Sequence, residues 1–260
     1  MSGIHRDGRP RGIAARAADP PLIAAVHGTT DPAGAAAVSS LIAQVKGLRP
    51  GIEISAAFLS KGTPALADAL AVAAARGRKP IVVPLLLSSG FHVRHDIPRA
   101  AAAAGASVAA HLGPDPLLIE VLAERVLPLL RSRPGARVVL AAAGSRDPRA
   151  AEEARRATEL LASRLGCAVT SAFVTTTAPA LHAVLGDEDE DEDVSRPTIV
   201  ATYLLAPGEF ERRVRRAANG MASAPLAPHP FLAKLILRRY DAVRSAEHVI
   251  EHVGILRSAA

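Results

Sequence analysis

The sequence predicts an α/β fold of two lobes, each a four-stranded parallel sheet flanked by helices, the two related by internal duplication. Three observations carry this expectation. Short apolar runs alternate with longer helical patterns along the chain, and such alternation builds parallel sheets covered by helices. Motifs also recur in order at a nearly fixed spacing: Thr30-Asp31-Pro32 returns as Arg146-Asp147-Pro148, Ala57-Phe58 as Ala172-Phe173, and Pro64-Ala65-Leu66 as Pro179-Ala180-Leu181. The segment His111 to Pro116 likewise returns as Pro225 to Pro230, so Asp31 and Asp147 stand 116 residues apart, Phe58 and Phe173 115, and Pro116 and Pro230 114. Finally, 260 residues of which 49% are apolar suffice for one or two real cores.

In the first unit, strands are expected near 22–26, 52–58, 80–87 and 106–111, and helices near 33–47, 64–76, 92–104 and 115–131. Strands of the second unit are expected near 137–142, 168–174, 197–205 and 221–226. Asp31-Pro32, Asp115-Pro116 and Asp147-Pro148 each put a capping carboxylate directly before a proline at the first helical position. Ser132-Arg133-Pro134-Gly135 is turn chemistry and marks the junction. Residues 1–20, rich in Arg, Gly and Pro, are expected to form a flexible tail rather than a signal peptide. The lobes then occupy 21–133 and 134–260. The acidic run at 187–193 reads as a solvated loop, with a cation reservoir as its alternative reading.

Composition excludes several classes. No apolar run reaches the roughly 20 residues that span a bilayer, so no membrane partner is expected. Cys167 stands alone, which rules out an internal disulfide and points to a reducing, cytoplasmic setting. The net charge is +6, but the arginines are scattered and only 3% of residues are aromatic. Nucleic acid is therefore not expected as a partner, whereas a small polyanion suits the same charge.

The duplication makes one half an internal control for the other. His27 follows the first strand and has Ala143 as its mate; His92 follows the third and has Phe210. In a doubly wound sheet of order 2-1-3-4, the loops after strands 1 and 3 open on one crevice, where such folds bind ligands. Two neutral imidazoles there would hold a divalent first-row metal such as iron, cobalt or nickel and leave other positions open. Ser88, Ser89 and Gly90 bring small side chains and backbone amides beside His92, suited to a large flat ligand or anionic groups. Phe91 is placed to face a macrocycle, and Arg94 and Lys61 to meet its carboxylates. His95 is expected on a solvated helix face and His111 in a structural role.

The run His27-Gly28-Thr29-Thr30-Asp31-Pro32, then Ala57-Phe58-Leu59, then Pro84 through Ser88-Ser89-Gly90-Phe91-His92 to Pro98, resembles the sirohydrochlorin chelatases, which are class II chelatases. The likeness extends from about Pro21 to Tyr240 and includes the tandem duplication of the longer members. It implies two chelatase-like lobes around a cleft and a lyase-type enzyme that inserts a divalent metal into an acidic tetrapyrrole without ATP. Fe2+ is the expected ion and Co2+ the alternative, in each case as substrate, with no tightly bound cofactor. His27 and His92 match the family's two metal-site histidines, which the second lobe of long members lacks. Val26 and Thr29-Thr30 depart from the glycine and Ser-Arg common at those places, while Gly144-Ser145-Arg146-Asp147-Pro148 keeps the Ser-Arg pattern in the second unit.

Metal insertion must strip water from the ion and remove two pyrrole protons. One imidazole would hold the metal and the other take a proton or share the ion; the sequence leaves the roles interchangeable. The chain has no G-x-x-x-x-G-K-[ST] segment for ATP. A histidine phosphatase would require an arginine where Val26 stands. A carrier of metal or tetrapyrrole remains the non-enzymatic alternative. Because one chain supplies both lobes, a monomer is expected.

Overall fold

The structure, a computed structural model, describes residues 19–175, 177–186 and 196–258, with side chains to Glu247. The acidic run 187–193 and nearly all of the N-terminal tail lie outside the described residues. The first repeat runs β1 (Leu22–Gly28), α1 (Pro32–Leu48), β2 (Ile54–Lys61), α2 (Leu66–Ala75) and β3 (Ile81–Pro84). One π-helical turn, His92–Asp96, then leads into α3 (Ile97–Ala103), β4 (Ser107–Val108) and α4 (Pro116–Ser132). The second repeat runs β5 (Arg137–Ala142), α5 (Pro148–Leu165), β6 (Val169–Phe173), α6 (Leu181–Gly186), β7 (Thr198–Tyr203), α7 (Glu209–Ala217) and α8 (Pro230–Ser258).

The first sheet is parallel in the order β2-β1-β3-β4, and the second in the order β6-β5-β7. Each aspartate expected to cap a helix does so: Asp31 accepts from the amide of Ala33, Asp115 from Leu117 and Asp147 from Arg149. Proline follows at the start of all three helices, where its missing N–H costs no hydrogen bond.

The second lobe differs from the expected four strands. Residues 221–226 make only the isolated bridge Val200–Ala222. The physical reason is local. Ser223 puts its hydroxyl where a strand would offer a carbonyl, accepting from the amide of Thr202 at 3.0 Å, and Pro225 has no N–H to extend a ladder. In the first lobe β3 stops at Pro84, short of the end of its apolar run; the Leu85 amide still donates to the Ala25 carbonyl of β1 at 2.8 Å, and Leu85, Leu86 and Leu87 line a cavity beyond the strand's end.

Alternation along the central strands divides the interior. Leu22, Ala24 and Val26 of β1, with Val138, Leu140 and Ala142 of β5, face one core shared by both lobes. Ile23 and Ala25 face a smaller core with Leu66, Leu70 and Ile97; Val139 and Ala141 face another with Leu181 and Val214. The last helix of each repeat crosses to the other lobe: α4 packs on β7 and α5, while α8 packs on β3 and α1. Arg49 grips Asp241 of α8 with two bonds of 2.7 and 2.6 Å, and the buried Tyr240 hydroxyl donates to the Pro20 carbonyl. The sequence repeats are therefore interlocked in space.

The starts of the crossing helices show one contact with its partners exchanged. Asp115 caps α4 and receives Arg238 and Arg239 from α8. Its repeat mate His229 accepts the Phe231 amide through Nδ1 at 3.1 Å and meets Glu124 of α4 through Nε2 at 2.9 Å. Since Nδ1 accepts, the imidazole proton sits on Nε2 and donates to the carboxylate.

Candidate functional site

His27 lies at the carboxyl end of β1, and His92 opens the π-helical turn after β3. Order β2-β1-β3-β4 puts those ends side by side. The imidazole centroids are 5.1 Å apart with ring planes inclined at 56°. Gly28 permits the chain to leave β1 there: its φ is +104°, and a Cβ would stand 2.0 Å from the Lys61 carbonyl oxygen. The Ser60 hydroxyl donates to the His27 carbonyl at 2.7 Å, fixing the same corner from β2.

His92 Nδ1 lies 2.6 Å from Asp96 Oδ2, one turn further on. A carboxylate only accepts, so in the neutral ring Nδ1 carries the proton and Nε2 keeps its lone pair, the arrangement seen when a carboxylate on the other ring nitrogen orients a metal-binding histidine. His27 is solvent-accessible, yet the cavity walls strip enough water from its ring to hold its pKa below 6.5. Positive charge on His92, when that ring is protonated, and on Lys61 pushes the same way. At neutral pH His27 is thus an uncharged imidazole, able to bind a metal or accept a proton.

Both rings border a cavity of about 680 Å³ between the lobes, within the range of about 300–1,000 Å³ typical of small-molecule sites. Its lining is mainly apolar, with Val26, Leu85 and Leu87 from the first lobe and Ala143, Phe173 and Leu205 from the second. An adjoining pocket of about 580 Å³ shares Phe91 and Ser145 with it. Among the described residues, no group of three or more His, Cys, Asp and Glu could hold a metal. Among the described residues, His27 and His92 are the adjacent nitrogen donors offered to an ion at this end of the cavity. Such a set suits one in transit, with open positions, better than a structural metal closed by four protein ligands.

The expected anion loop is only partly free. Ser88, Ser89, Gly90 and Phe91 all line the cavity. Ser89, however, gives its hydroxyl to Glu153 Oε1 at 2.6 Å and its amide to the other oxygen of the same carboxylate. That loop is thereby fastened to α5, and the Ser89 amide is not open to a ligand as the sequence suggested. Gly90 is not sterically required, since the nearest atom to an added Cβ would be Ser145 Oγ at 3.6 Å. Phe91 is 67% exposed and packs on His95 with centroids 4.9 Å apart. Arg94 pairs with Asp147 of the second lobe at 3.0 Å, and its guanidinium is the first cause of that carboxylate's lowered pKa. Lys61 lines the cavity on the His27 side.

His111 lies outside the cavity lining. Its Nε2 stands 3.3 Å from Glu153 Oε1, and burial pushes its pKa down despite that carboxylate. Tyr203 of β7, whose hydroxyl is buried and has its pKa raised by that burial, is among the lining residues. Sequence reasoning missed Asp96, Glu153 and Arg212. Asp96 was detectable as the partner four residues beyond His92 on a helix. Arg212 was detectable as the repeat mate of Arg94, since both lie two residues after the paired His92 and Phe210. Glu153 has no such signal: its mate Ala37 carries no polar group.

The family model described as CbiX matches this chain twice, over residues 21–129 and 137–243. Among curated proteins, the sirohydrochlorin ferrochelatase of Bacillus subtilis (strain 168) is 27% identical over 174 residues. That alignment covers 61% of this chain and 66% of the relative, just under two thirds of its length. Among solved structures, SirB from Bacillus subtilis with Fe3+ superposes with a TM-score of 0.72 at 21% identity, covering 88% of this chain and 97% of that one. CbiX, the terminal enzyme for biosynthesis of sirohaem in denitrifying bacteria, gives a TM-score of 0.64 at 24% identity over 86% of this chain and 98% of that one. At these identities the superpositions establish a shared fold.

Proposed function

This chain belongs to the CbiX family, and from that premise we propose that it is a sirohydrochlorin chelatase, inserting Fe2+ into sirohydrochlorin without ATP. The observation that carries the proposal is the pair of imidazoles, from loops 65 residues apart (His27 and His92), with centroids 5.1 Å apart on a largely apolar interlobe cavity. The lobe at 21–133 supplies both histidines, and the lobe at 134–260 supplies the facing wall.

In this reading the metal is a substrate. His92 Nε2 and the neutral His27 hold the divalent ion at the macrocycle face. As the ion enters, two pyrrole N–H bonds give up protons; an imidazole released from the metal accepts one and water in the cleft takes the other. Asp96 holds the His92 ring and stabilises its positive charge if the proton goes there. Ser88, Gly90 and Phe91 contact the tetrapyrrole, and Arg94 one of its carboxylates. Ser89 positions this loop through Glu153. ATP has no role because insertion requires dehydration of the ion and proton removal, which these groups supply.

Cobalt is the second reading. A related SirB from Bacillus subtilis subspecies spizizenii has been solved with cobalt, at a TM-score of 0.69, and two imidazoles bind either ion. Both cavity walls come from one chain, which supports a monomer, and the lone Cys167 suits a reducing cytoplasm. An anaerobic insertion assay with sirohydrochlorin and Fe2+ or Co2+ tests the proposal. Turnover should exceed the free reaction, be faster with Fe2+, and fall about 100-fold or more in His27→Ala and His92→Ala. A protein that binds both ligands without accelerating insertion is a carrier.

A further inference from the structure

The duplication makes one cross-lobe contact twice. Asp31 and Asp147 are repeat mates, and each divides its carboxylate in the same way. Oδ1 caps the helix that follows, accepting from Ala33 at 2.9 Å and from Arg149 at 3.0 Å. Oδ2 takes a guanidinium from the opposite lobe: Arg212 reaches Asp31, and Arg94 reaches Asp147 at 3.0 Å. The arginines are repeat mates as well, each two residues past the matched positions His92 and Phe210. So the segment after the third strand of each lobe grips the first helix cap of the other.

Both straps border the candidate site. Asp31 and Arg212 line the main cavity; Arg94 and Asp147 line the adjoining pocket, where Arg94, Arg146 and Arg149 face a single aspartate. The aspartates are mostly covered, at 16% and 12% exposure, while each arginine is 40% exposed. Ion pairs so open to water are weak and exchange readily. Release of an arginine would leave Oδ1 on its amides, so the caps would survive.

Resting on the chelatase reading above, we propose that Arg94 and Arg212 are paired carboxylate-binding residues, one on each lobe. They are held by Asp147 and Asp31 here and pass to two carboxylates of the tetrapyrrole when it enters the cleft. One carboxylate replaces another on the same planar fork, so each guanidinium exchanges one charge partner for another of the same hydrogen-bond geometry. The straps would thus keep the lobes together and then convert into substrate contacts.

Binding of metal-free sirohydrochlorin, followed by fluorescence titration under anaerobic conditions, separates this from a purely structural strap. Arg94→Gln and Arg212→Gln should each raise Kd roughly tenfold. Asp147→Asn and Asp31→Asn keep the cap acceptor but remove the competing charge, so they should lower Kd about threefold. Arg238→Gln removes a similar cap pair outside both pockets and should leave Kd unchanged. If a glutamine variant fails to fold, Arg94→Lys or Arg212→Lys carries the test, with a raised Kd supporting the exchange and an unchanged one overturning it. Unchanged Kd in the glutamine variants, or shifts of the same sign in arginine and aspartate variants, would reduce the straps to fasteners. No binding of sirohydrochlorin by the wild-type chain would overturn the chelatase reading itself.

Discussion

One hydrogen bond sets which nitrogen of His92 is free for chemistry. Asp96 occupies Nδ1 at 2.6 Å, so only Nε2 is available to a metal. Asp96→Asn keeps the size of the side chain but loses its charge, and its amide can donate as well as accept. The ring then has no fixed tautomer. Co2+ affinity measured by calorimetry should fall about 10- to 100-fold, while Asp96→Glu should restore part of it; unchanged affinity in the asparagine variant would remove Asp96 from the site. His111 gives a pH prediction. Burial lowers its folded pKa below the 6.5 of the free side chain. The unfolded chain therefore binds the proton more readily, so the contribution of His111 is complete above about pH 6.5 and declines as pH falls through the depressed value. In His111→Gln, the drop in urea midpoint between about pH 6.5 and pH 5 should be shallower than in wild type. An identical drop would mean that His111 does not contribute to it.

At the scale of elements, the sequence revealed what repeats locally and hid what depends on distant partners. Capping aspartates ahead of prolines announced α1, α4 and α5, because a cap is decided within a few residues. The apolar runs announced the strands, and the strand order placed His27 beside His92. The eighth strand failed because alternation at 221–226 does not reveal that Ser223 bonds Thr202 through its side chain. That exchange is testable. Thr202 is fully buried, and its amide and hydroxyl both go to Ser223, at 3.0 and 2.7 Å. Ser223→Ala leaves the buried amide without a partner and should cost about 1–3 kcal/mol in urea denaturation. A cost near zero would show that the hydroxyl is dispensable. The π-helical turn at His92–Asp96 also differs from the ordinary helix that the pattern at 92–104 predicts, because the wider hydrogen-bond span leaves no mark on the residue types of five positions.

At the scale of the molecule, the two repeats exchange their last helices, and that exchange makes the cleft a property of the whole chain. Sequence boundaries near 133 and 134 follow the duplication, but α4 is buried on the second lobe's sheet and α8 on the first. Contacts such as Arg212 with Asp31 and Ser89 with Glu153 join residues 181 and 64 positions apart. No local pattern encodes them, which is why the sequence assigned Arg94 to substrate and Ser89 to a free anion loop without seeing their partners. One lobe keeps the histidines, and the other, with Ala143 and Phe210 at the matching places, closes the apolar wall around them.

X-ray absorption at the iron edge of the Fe2+-loaded protein, in wild type and in His27→Ala and His92→Ala, tests most directly whether two imidazoles serve one ion. Two imidazoles per iron are expected in wild type and one in each variant. No imidazole in wild type, or the same count after either substitution, would contradict the shared site.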